Sequence, residues 1–352
     1  MVGTLAFAAP VATRIDSPAL ATVAATAPFV LVALVAMFAI GPDSALFDVF
    51  ARPGDYEDGQ LYGLAAFALA AASFAFIAVR FGLPVWVFVG TVVLVAYGNF
   101  GQRLAARVGD EVVATAGFVV AGFVTGVGAV LLAARLLGAG VDLSAALFLT
   151  ATGALVAALF RSVLFERDDP LVLLSVGLLL WLFFELGPGV TTLRVFIAIG
   201  VSAVLGYVAY ALDTASLPGM LTGVLLSLLT IVLGGYGWFA MLITFFGLGG
   251  LSTKYEYEAK QARGIAEENE GARGSGNVLA NSIVALLSVL LWAASPTHIA
   301  VEPLLFLYAF AGAVAAAMTD TFSSEFGGLY DNPRLITTFE RVDPGTDGAV
   351  TW

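Results

Sequence analysis

The sequence predicts an all-α fold, a polytopic helical bundle embedded in a membrane, and three observations lead to this prediction. Of the 352 residues, 60% are hydrophobic and only 12% are charged, with a mean hydropathy of +0.97. Soluble domains carry about 25% charged residues, so a water-facing globule with this composition would lack polar surface. The apolar residues also come in continuous blocks of about 20 residues, the length of a bilayer-spanning helix.

These blocks predict about ten transmembrane helices. The eighth block is longer than one span and is interrupted at Gly234–Trp238. It therefore predicts either a tilted helix or two half-spans separated by a break. The predicted spans are residues 20–41, 61–79, 84–99, 112–134, 144–160, 171–186, 195–212, 219–249, 277–295 and 301–319.

A change in composition near Arg194 divides the chain into an N-terminal six-helix membrane region, residues 1–190, and a C-terminal region, residues 195–352. The interiors of the first six spans hold no ionisable residue, so we expect a packed structural bundle without a charged side chain at mid-depth. The C-terminal region differs, because polar residues crowd its loops and span ends. Any chemistry is therefore expected in the C-terminal region.

Charge and composition narrow the classes of function. The formal net charge is −11, and Lys254 and Lys260 are the only lysines, a composition typical of archaeal halophile proteins. The acidic balance argues against a nucleic-acid partner. With no cysteine and only His298, the chain cannot form disulfides, cysteine-ligated zinc sites or multi-histidine metal sites. The densest basic cluster follows the eighth span, which predicts a multi-pass cell-membrane protein with loops 250–276 and 320–352 in the cytoplasm.

The first polar segment of interest covers residues 251–281. Opposite charges spaced i,i+4, such as Glu256 with Lys260, predict a surface helix over about 253–269. A glycine-rich stretch then leads into the next span, an arrangement in which free amide groups and a helix dipole attract anions. The alternative is a solvated linker with a glycine hinge. The candidate anion-binding residues here are Arg273, Gly274, Ser275, Gly276 and Asn277.

Two further segments carry candidate ligands. Asp320 has Ser323 and Ser324 on its own helical face, and their oxygens suit Mg²⁺, although Asp320 could simply mark the helix end among the lipid headgroups. Further along, Arg334 is a candidate anion ligand, and Thr346 and Asp347 are candidate metal or phosphate contacts. The alternative for these later residues is that they only form turns. Polar groups gathered at span ends suit chemistry on a lipid headgroup, whereas the break near Gly234 favours transport.

Several collinear motifs resemble an integral membrane family described as a domain of unknown function, which includes transmembrane protein 19 and the plant phytyl-phosphate kinase of tocopherol synthesis. The resemblance covers about residues 195–352, and because the family usually continues into further spans, we expect this chain to end before them. The matching residues include Gly234-Gly235, Trp238, Ser252-Thr253-Lys254, Gly271–Asn277, Asn281, Asp320-Thr321, Ser324-Glu325, Pro333-Arg334, Thr337-Thr338 and Gly345–Gly348.

The resemblance implies a membrane-embedded prenyl-phosphate kinase that transfers a phosphoryl group from a nucleoside triphosphate, plausibly CTP, to an isoprenoid monophosphate. Asp320 and Glu325 would then be catalytic, with Asp320 and Ser324 holding Mg²⁺. Lys254, Arg273, Arg334 and the amides of residues 271–276 would hold phosphates, while the isoprenoid tail would lie between apolar spans. The alternative function is a transporter or scramblase for a lipid phosphate or another anion, which would use the same basic loop as an entry site.

Overall fold

The computed structural model describes residues 2–164, 169–187, 189–212, 215–264, 266, 275–295, 297–344, 346 and 348–350. Helices dominate these residues, as expected for a polytopic helical membrane protein. The chain forms two compact units, Met1–Val195 and Phe196–Trp352. The division between them lies within the seventh predicted span, next to the change in composition at Arg194.

The first unit contains six long helices and several short ones. A 3₁₀ helix, Val2–Phe7, precedes the first short α-helix, and Pro and Ser residues start several of the others. The helices are α1 (Ala8–Ala12), α2 (Pro18–Phe38), α3 (Ala45–Phe50), α4 (Pro53–Asp58), α5 (Tyr62–Arg80), α6 (Val85–Ala105), α7 (Glu111–Leu137), α8 (Leu143–Val163) and α9 (Asp169–Glu185).

Helices α6 and α7 form the most extensive contact of the first unit, and small residues allow it. A side-chain carbon at Gly101 would lie 2.4 Å from the carbonyl oxygen of Gly117, and one at Gly117 would lie 2.8 Å from the carbonyl oxygen of Gly101. Backbones this close leave no room for side chains, which is the usual device for packing helices in lipid. Phe88 of α6 adds edge-to-face contacts with Phe29 and Phe74 on the other side.

Charged groups of the first unit meet at the ends of helices. Asp169, the first residue of α9, is 3% exposed and is paired with both Arg52 and Arg161. Arg161 lies in the last turn of α8 and also donates to Gln102 Oε1 at the end of α6. This network joins the α3–α4 connection to three long helices. The described interiors of those helices remain without ionisable residues.

The second unit holds the remaining helices and a small hairpin. Its last element pair is antiparallel, with Arg334 opposite Val350 and Leu335 opposite Ala349. The elements are α10 (Thr192–Ala211), which begins before the division, α11 (Leu217–Leu229), a π-helix (Thr230–Gly234), α12 (Tyr236–Lys254), α13 (Tyr257–Ala262), α14 (Ser275–Ala294), α15 (Pro303–Gly327), β1 (Arg334–Leu335) and β2 (Ala349–Val350).

The eighth predicted span is broken at Gly235. This residue has φ 111° and ψ 178°, a conformation that only glycine adopts readily. The two resulting helical segments, Leu217–Gly234 and Tyr236–Lys254, have 18 and 19 residues. They are two of nine helices in the described residues that are long and apolar enough to cross a membrane. The shorter α9, of 17 residues, and α14, of 20 residues, correspond to the sixth and ninth predicted spans.

An aromatic cluster packs the core of the second unit. The Trp238 ring of α12 lies 5.2 Å from the Trp292 ring of α14 and 4.7 Å from the Phe310 ring of α15. Trp292 is thus a packing residue of this core. This cluster holds α12, α14 and α15 together in the second unit.

Two predicted boundaries are wrong. The predicted surface helix over 253–269 is interrupted, because α12 ends at Lys254 and Glu256 takes a left-handed φ of 50° before the short α13. The predicted end of the last span at residue 319 is also wrong, since α15 continues to Gly327. Asp320 therefore lies about two turns inside a helix rather than at its end.

Candidate functional site

The two polar segments of the second unit meet at Lys260. This α13 residue is only 2% exposed, and its Nζ lies 2.5 Å from Glu325 Oε2 of α15. Nζ also donates to the carbonyl oxygens of Ser252 at 2.7 Å and Thr253 at 3.2 Å. These carbonyls belong to the last turn of α12, whose end leaves carbonyl oxygens free to accept from side chains, and the Ser252 oxygen also accepts from the Tyr255 amide at 3.3 Å. A single ammonium group therefore joins the end of α12, the short α13 and the last helix.

A second contact runs beside the first, at the surface. Arg263 donates from one nitrogen to the Gly328 carbonyl oxygen at 3.2 Å and from the other to Asp331 Oδ1 at 3.0 Å. The Asp331 side chain is 79% exposed, so this pair is worth about 0–1 kcal/mol. Arg263 and Lys260 together attach the segment after α12 to the residues that end α15.

The last turns of α15 present two different faces. Asp320, Ser323 and Ser324 are exposed, whereas Thr321 and Glu325 are buried. Five residues of α-helix correspond to a rotation of about 140° beyond a full turn, so Asp320 and Glu325 point in different directions. The Asp320 carboxylate has no hydrogen-bond or ion-pair partner among the described residues. The structure therefore brings Asp320 and Ser324 together on one face and places Glu325 elsewhere, against Lys260.

The other predicted basic ligands contact backbone carbonyls. Lys254 is exposed, and its Nζ donates to the Leu212 carbonyl oxygen at 3.1 Å. Arg334 donates to the Phe339 carbonyl oxygen at 2.6 Å across the turn that follows β1. Thr337 and Thr338 are exposed in that turn, and Thr346 donates to the Asp343 carbonyl oxygen at 2.7 Å. No contact between these residues and Asp320 is present in the described part of the chain.

The glycine-rich stretch lies largely outside the described residues. This holds for Arg273, Gly274 and Asp347, and for the side chains of Ser275, Asn277 and Asn281. The predicted proximity of Arg273 to Asp320 thus also lies outside them. Gly276 is described in the first turn of α14, where it is exposed and has no atom within 4 Å of the position of a side-chain carbon.

The oxygen donors around Asp320 fit a cation that keeps much of its hydration. No group of three His, Asp or Glu side chains gathers at metal-binding distance among the residues that the structure describes. Asp320 and Ser324 supply hard oxygen ligands one turn apart. Mg²⁺ is commonly held by one or two carboxylates together with substrate phosphates and waters. This donor set is therefore suited to Mg²⁺ that arrives with a phosphorylated substrate.

Lys260 was not predicted from the sequence to be part of the candidate site. Its i,i+4 spacing from Glu256 predicted an exposed surface pair, but Lys260 forms its ion pair with Glu325, which is 65 positions away in the sequence. The signal that could have found it is its position within a short segment flanked by the ends of two spans, where a lysine can reach the last carbonyls of a helix. Burial was the property that local spacing could not indicate.

Comparison with known proteins finds similarity in the C-terminal part of the chain. Residues 200–352 match the family described as Integral membrane protein DUF92. An uncharacterised membrane protein of Methanocaldococcus jannaschii is 33% identical over 168 residues, which cover 46% of this chain and 64% of the relative. No solved structure matches the chain.

Two plant proteins also match part of the chain. Protein VTE6, chloroplastic, of Arabidopsis thaliana is 31% identical over 137 residues, 39% of this chain and 41% of the relative. Protein PGR of the same plant is 29% identical over 167 residues, 45% of this chain and 58% of the relative. The chain thus spans less than two thirds of the length of each of these relatives.

Proposed function

Because residues 200–352 are a DUF92 membrane segment, we propose that the protein is a membrane-embedded prenyl-phosphate kinase. It would transfer a phosphoryl group from a nucleoside triphosphate, proposed to be CTP, to an isoprenoid monophosphate. The observation that carries this proposal is the exposed face in the last turns of α15, where the hydroxyls of Ser323 and Ser324 accompany Asp320, whose carboxylate has no partner among the described residues. The family resemblance adds support, since the family includes the plant phytyl-phosphate kinase and the relatives include a chloroplast protein.

Phosphoryl transfer needs positioning and charge compensation more than covalent chemistry. Asp320 and Ser324 would hold Mg²⁺ in the last turns of α15. When bound, the ion neutralises charge on the transferred phosphoryl group. Lys254, which is exposed, would meet the phosphates from the side of α12, and Arg273 and Arg334 would supply further cationic contacts. The apolar face of α15 before Asp320 would hold the isoprenoid tail, so that only the phosphate reaches the polar residues.

The cytoplasmic side is the proposed location of the polar segments. Their basic residues follow the positive-inside pattern, and the cytoplasm is also the source of nucleotide. Lys254, Lys260 and Arg263 all lie within one short stretch between α12 and α14. A cysteine placed at exposed Glu258 tests this location in intact cells, because the chain has no cysteine of its own. Labelling of that thiol by a membrane-impermeant maleimide before lysis would contradict it.

The activity is tested with the full chain reconstituted in lipid. Each of the four nucleoside triphosphates, labelled in the γ-phosphate, is incubated with Mg²⁺ and with a panel of prenyl alcohols and prenyl monophosphates. The proposal predicts a labelled prenyl diphosphate that forms with a monophosphate acceptor and disappears when EDTA removes the metal. Absence of labelled lipid with every nucleotide and acceptor would exclude the kinase.

A transporter or scramblase for a lipid phosphate is the second candidate, because a helix broken at Gly235 is the type of element that transporters place at their substrate sites. Proteoliposomes that carry a fluorescent lipid phosphate in both leaflets distinguish the two functions. Rapid loss of all fluorescence on addition of an external quencher would favour scrambling. Loss of only the fluorescence of the outer leaflet would favour the kinase.

A further inference from the structure

The buried pair between Lys260 and Glu325 involves a helix, α15, in which few residues are buried. Only Phe310, Val314, Thr321 and Glu325 of this helix are buried. Their spacing places them on one narrow stripe, so apolar packing alone leaves the rotation of the helix about its axis poorly fixed near its end. Glu325 is the last member of that stripe and the only charged one. Its contact with α13, together with the ring contact of Phe326 with Tyr255 at 5.7 Å, therefore determines the rotation of α15 near its end.

The hydrogen bonds of Lys260 fix the position of its ammonium group relative to Glu325. An ammonium group has three donors, and the three acceptors around Nζ are Glu325 Oε2, the Ser252 carbonyl and the Thr253 carbonyl. The two carbonyls belong to Ser252 and Thr253, which are 3% and 1% exposed in the last turn of α12. Glu325 is thus fixed, through Lys260, to the buried end of α12 and not merely to a loop.

We propose that Lys260 is a positioning residue for phosphoryl transfer, which acts by fixing the rotation of α15 through Glu325. The rotation sets where Asp320 and Ser324 point, because they precede Glu325 by five residues and one residue in the same helix. Glu325 then has a positioning role and is not a metal ligand. This inference rests on the proposed kinase function, and it explains why a charged pair is buried at a place where an apolar pair would cost less to desolvate.

Two readouts test this proposal, and the first needs no turnover. A spin label on Ser323→Cys reports the end of α15, and a label on Ala309→Cys reports the same helix about 21 Å earlier, at 1.5 Å per residue. Both positions are exposed, and the chain has no other cysteine. We expect Lys260→Met and Glu325→Gln each to increase the mobility of the label at position 323 and to leave the label at position 309 unchanged.

The double variant Lys260→Met/Glu325→Gln should be no more mobile at position 323 than the more mobile single variant, because both changes remove one shared contact. Asp331→Asn serves as the control, since it weakens the neighbouring exposed pair and should not change the label at position 323. Glu325→Gln keeps side-chain volume and an acceptor, so it decides the question if Lys260→Met is not recovered folded. An unchanged line shape at position 323 in folded Glu325→Gln overturns the proposal.

The second readout is kinetic and uses the unlabelled protein. Lys260→Met should lower kcat by about 100-fold with KM for the prenyl monophosphate within about twofold, because a misplaced group costs rate more than binding. Lys260→Arg, which keeps the charge, should recover part of that loss. A changed line shape with unaltered kcat would overturn positioning and leave the kinase intact. Absence of turnover in the wild type would reject the kinase. The line shapes would still show whether the contact between Lys260 and Glu325 fixes the end of α15.

Discussion

A side-chain carbon at Gly234 would lie 2.8 Å from the ring of Trp238, so the glycine and the tryptophan pack directly against each other at the break between α11 and α12. The next residue, Gly235, takes the backbone conformation that interrupts the helix. Trp238 in turn contacts Trp292 and Phe310, and so the break is part of the aromatic core of the second unit.

Replacement of Gly234 by alanine should therefore lower stability by about 1–3 kcal/mol, since the added carbon must displace the Trp238 ring. Gly237→Ala is the matched control, because no atom lies within 4 Å of its side-chain position. We expect the control to be neutral or slightly stabilising in a helix. Thermal unfolding of both variants in detergent compares them, and equal melting temperatures would show that Trp238 gives way without cost.

The contact between α6 and α7 leads to a second prediction. Gly117→Ala should destabilise the first unit by about 1–3 kcal/mol, because the new carbon would meet Ala105 Cβ at 2.4 Å and the Gly101 carbonyl oxygen at 2.8 Å. Gly128→Ala in the same helix meets nothing within 4 Å and should be tolerated. Denaturation in detergent followed by circular dichroism measures the difference. Equal stability of the two variants would show that the close approach of α6 and α7 does not decide the effect.

The Asp169 network is expected to stabilise the first unit by more than a surface ion pair does. Asp169→Asn removes the charge that compensates Arg52 and Arg161, and breaking a buried pair costs about 3–5 kcal/mol, reduced here because both arginines are partly exposed. Asp142→Asn is the control, since Asp142 is exposed and its side chain makes no cap bond to α8. Protease resistance and melting temperature of the two variants should differ clearly, and equal values would assign the network no structural role.

Sequence reasoning located the helices because a continuous apolar block has only one stable form in lipid. It located the break near Gly234, since glycine pairs interrupt helices, but it left open whether the block was one tilted helix or two. The ion pairs between residues distant in the sequence could not be predicted in this way. Arg52 and Asp169 are 117 positions apart, and Lys260 and Glu325 are 65 positions apart. Such pairs depend on tertiary packing, and no local period encodes them.

The candidate site shows the same division. The i,i+4 relation of Asp320 and Ser324 could be read from the sequence because helix geometry alone sets it. The opposite orientation of Glu325 also follows from helix geometry, yet the motif resemblance grouped it with Asp320 as a catalytic residue. The structure separates these two residues by their burial, since Asp320 is exposed and Glu325 is 9% exposed. Burial of Glu325 requires Lys260, which local spacing had assigned to a surface helix.

The proposed kinase function depends most directly on Asp320, and turnover of Asp320→Asn in reconstituted protein tests it. Transfer of labelled phosphate from CTP to a prenyl monophosphate is measured at saturating Mg²⁺ for the wild type, for Asp320→Asn and for the exposed control Asp343→Asn. We predict that Asp320→Asn lowers kcat by about 100-fold or more, because the amide is a poorer ligand for the cation that the reaction needs. The control should stay within about twofold of the wild type, as surface changes usually do. Full turnover by folded Asp320→Asn would contradict the proposed site.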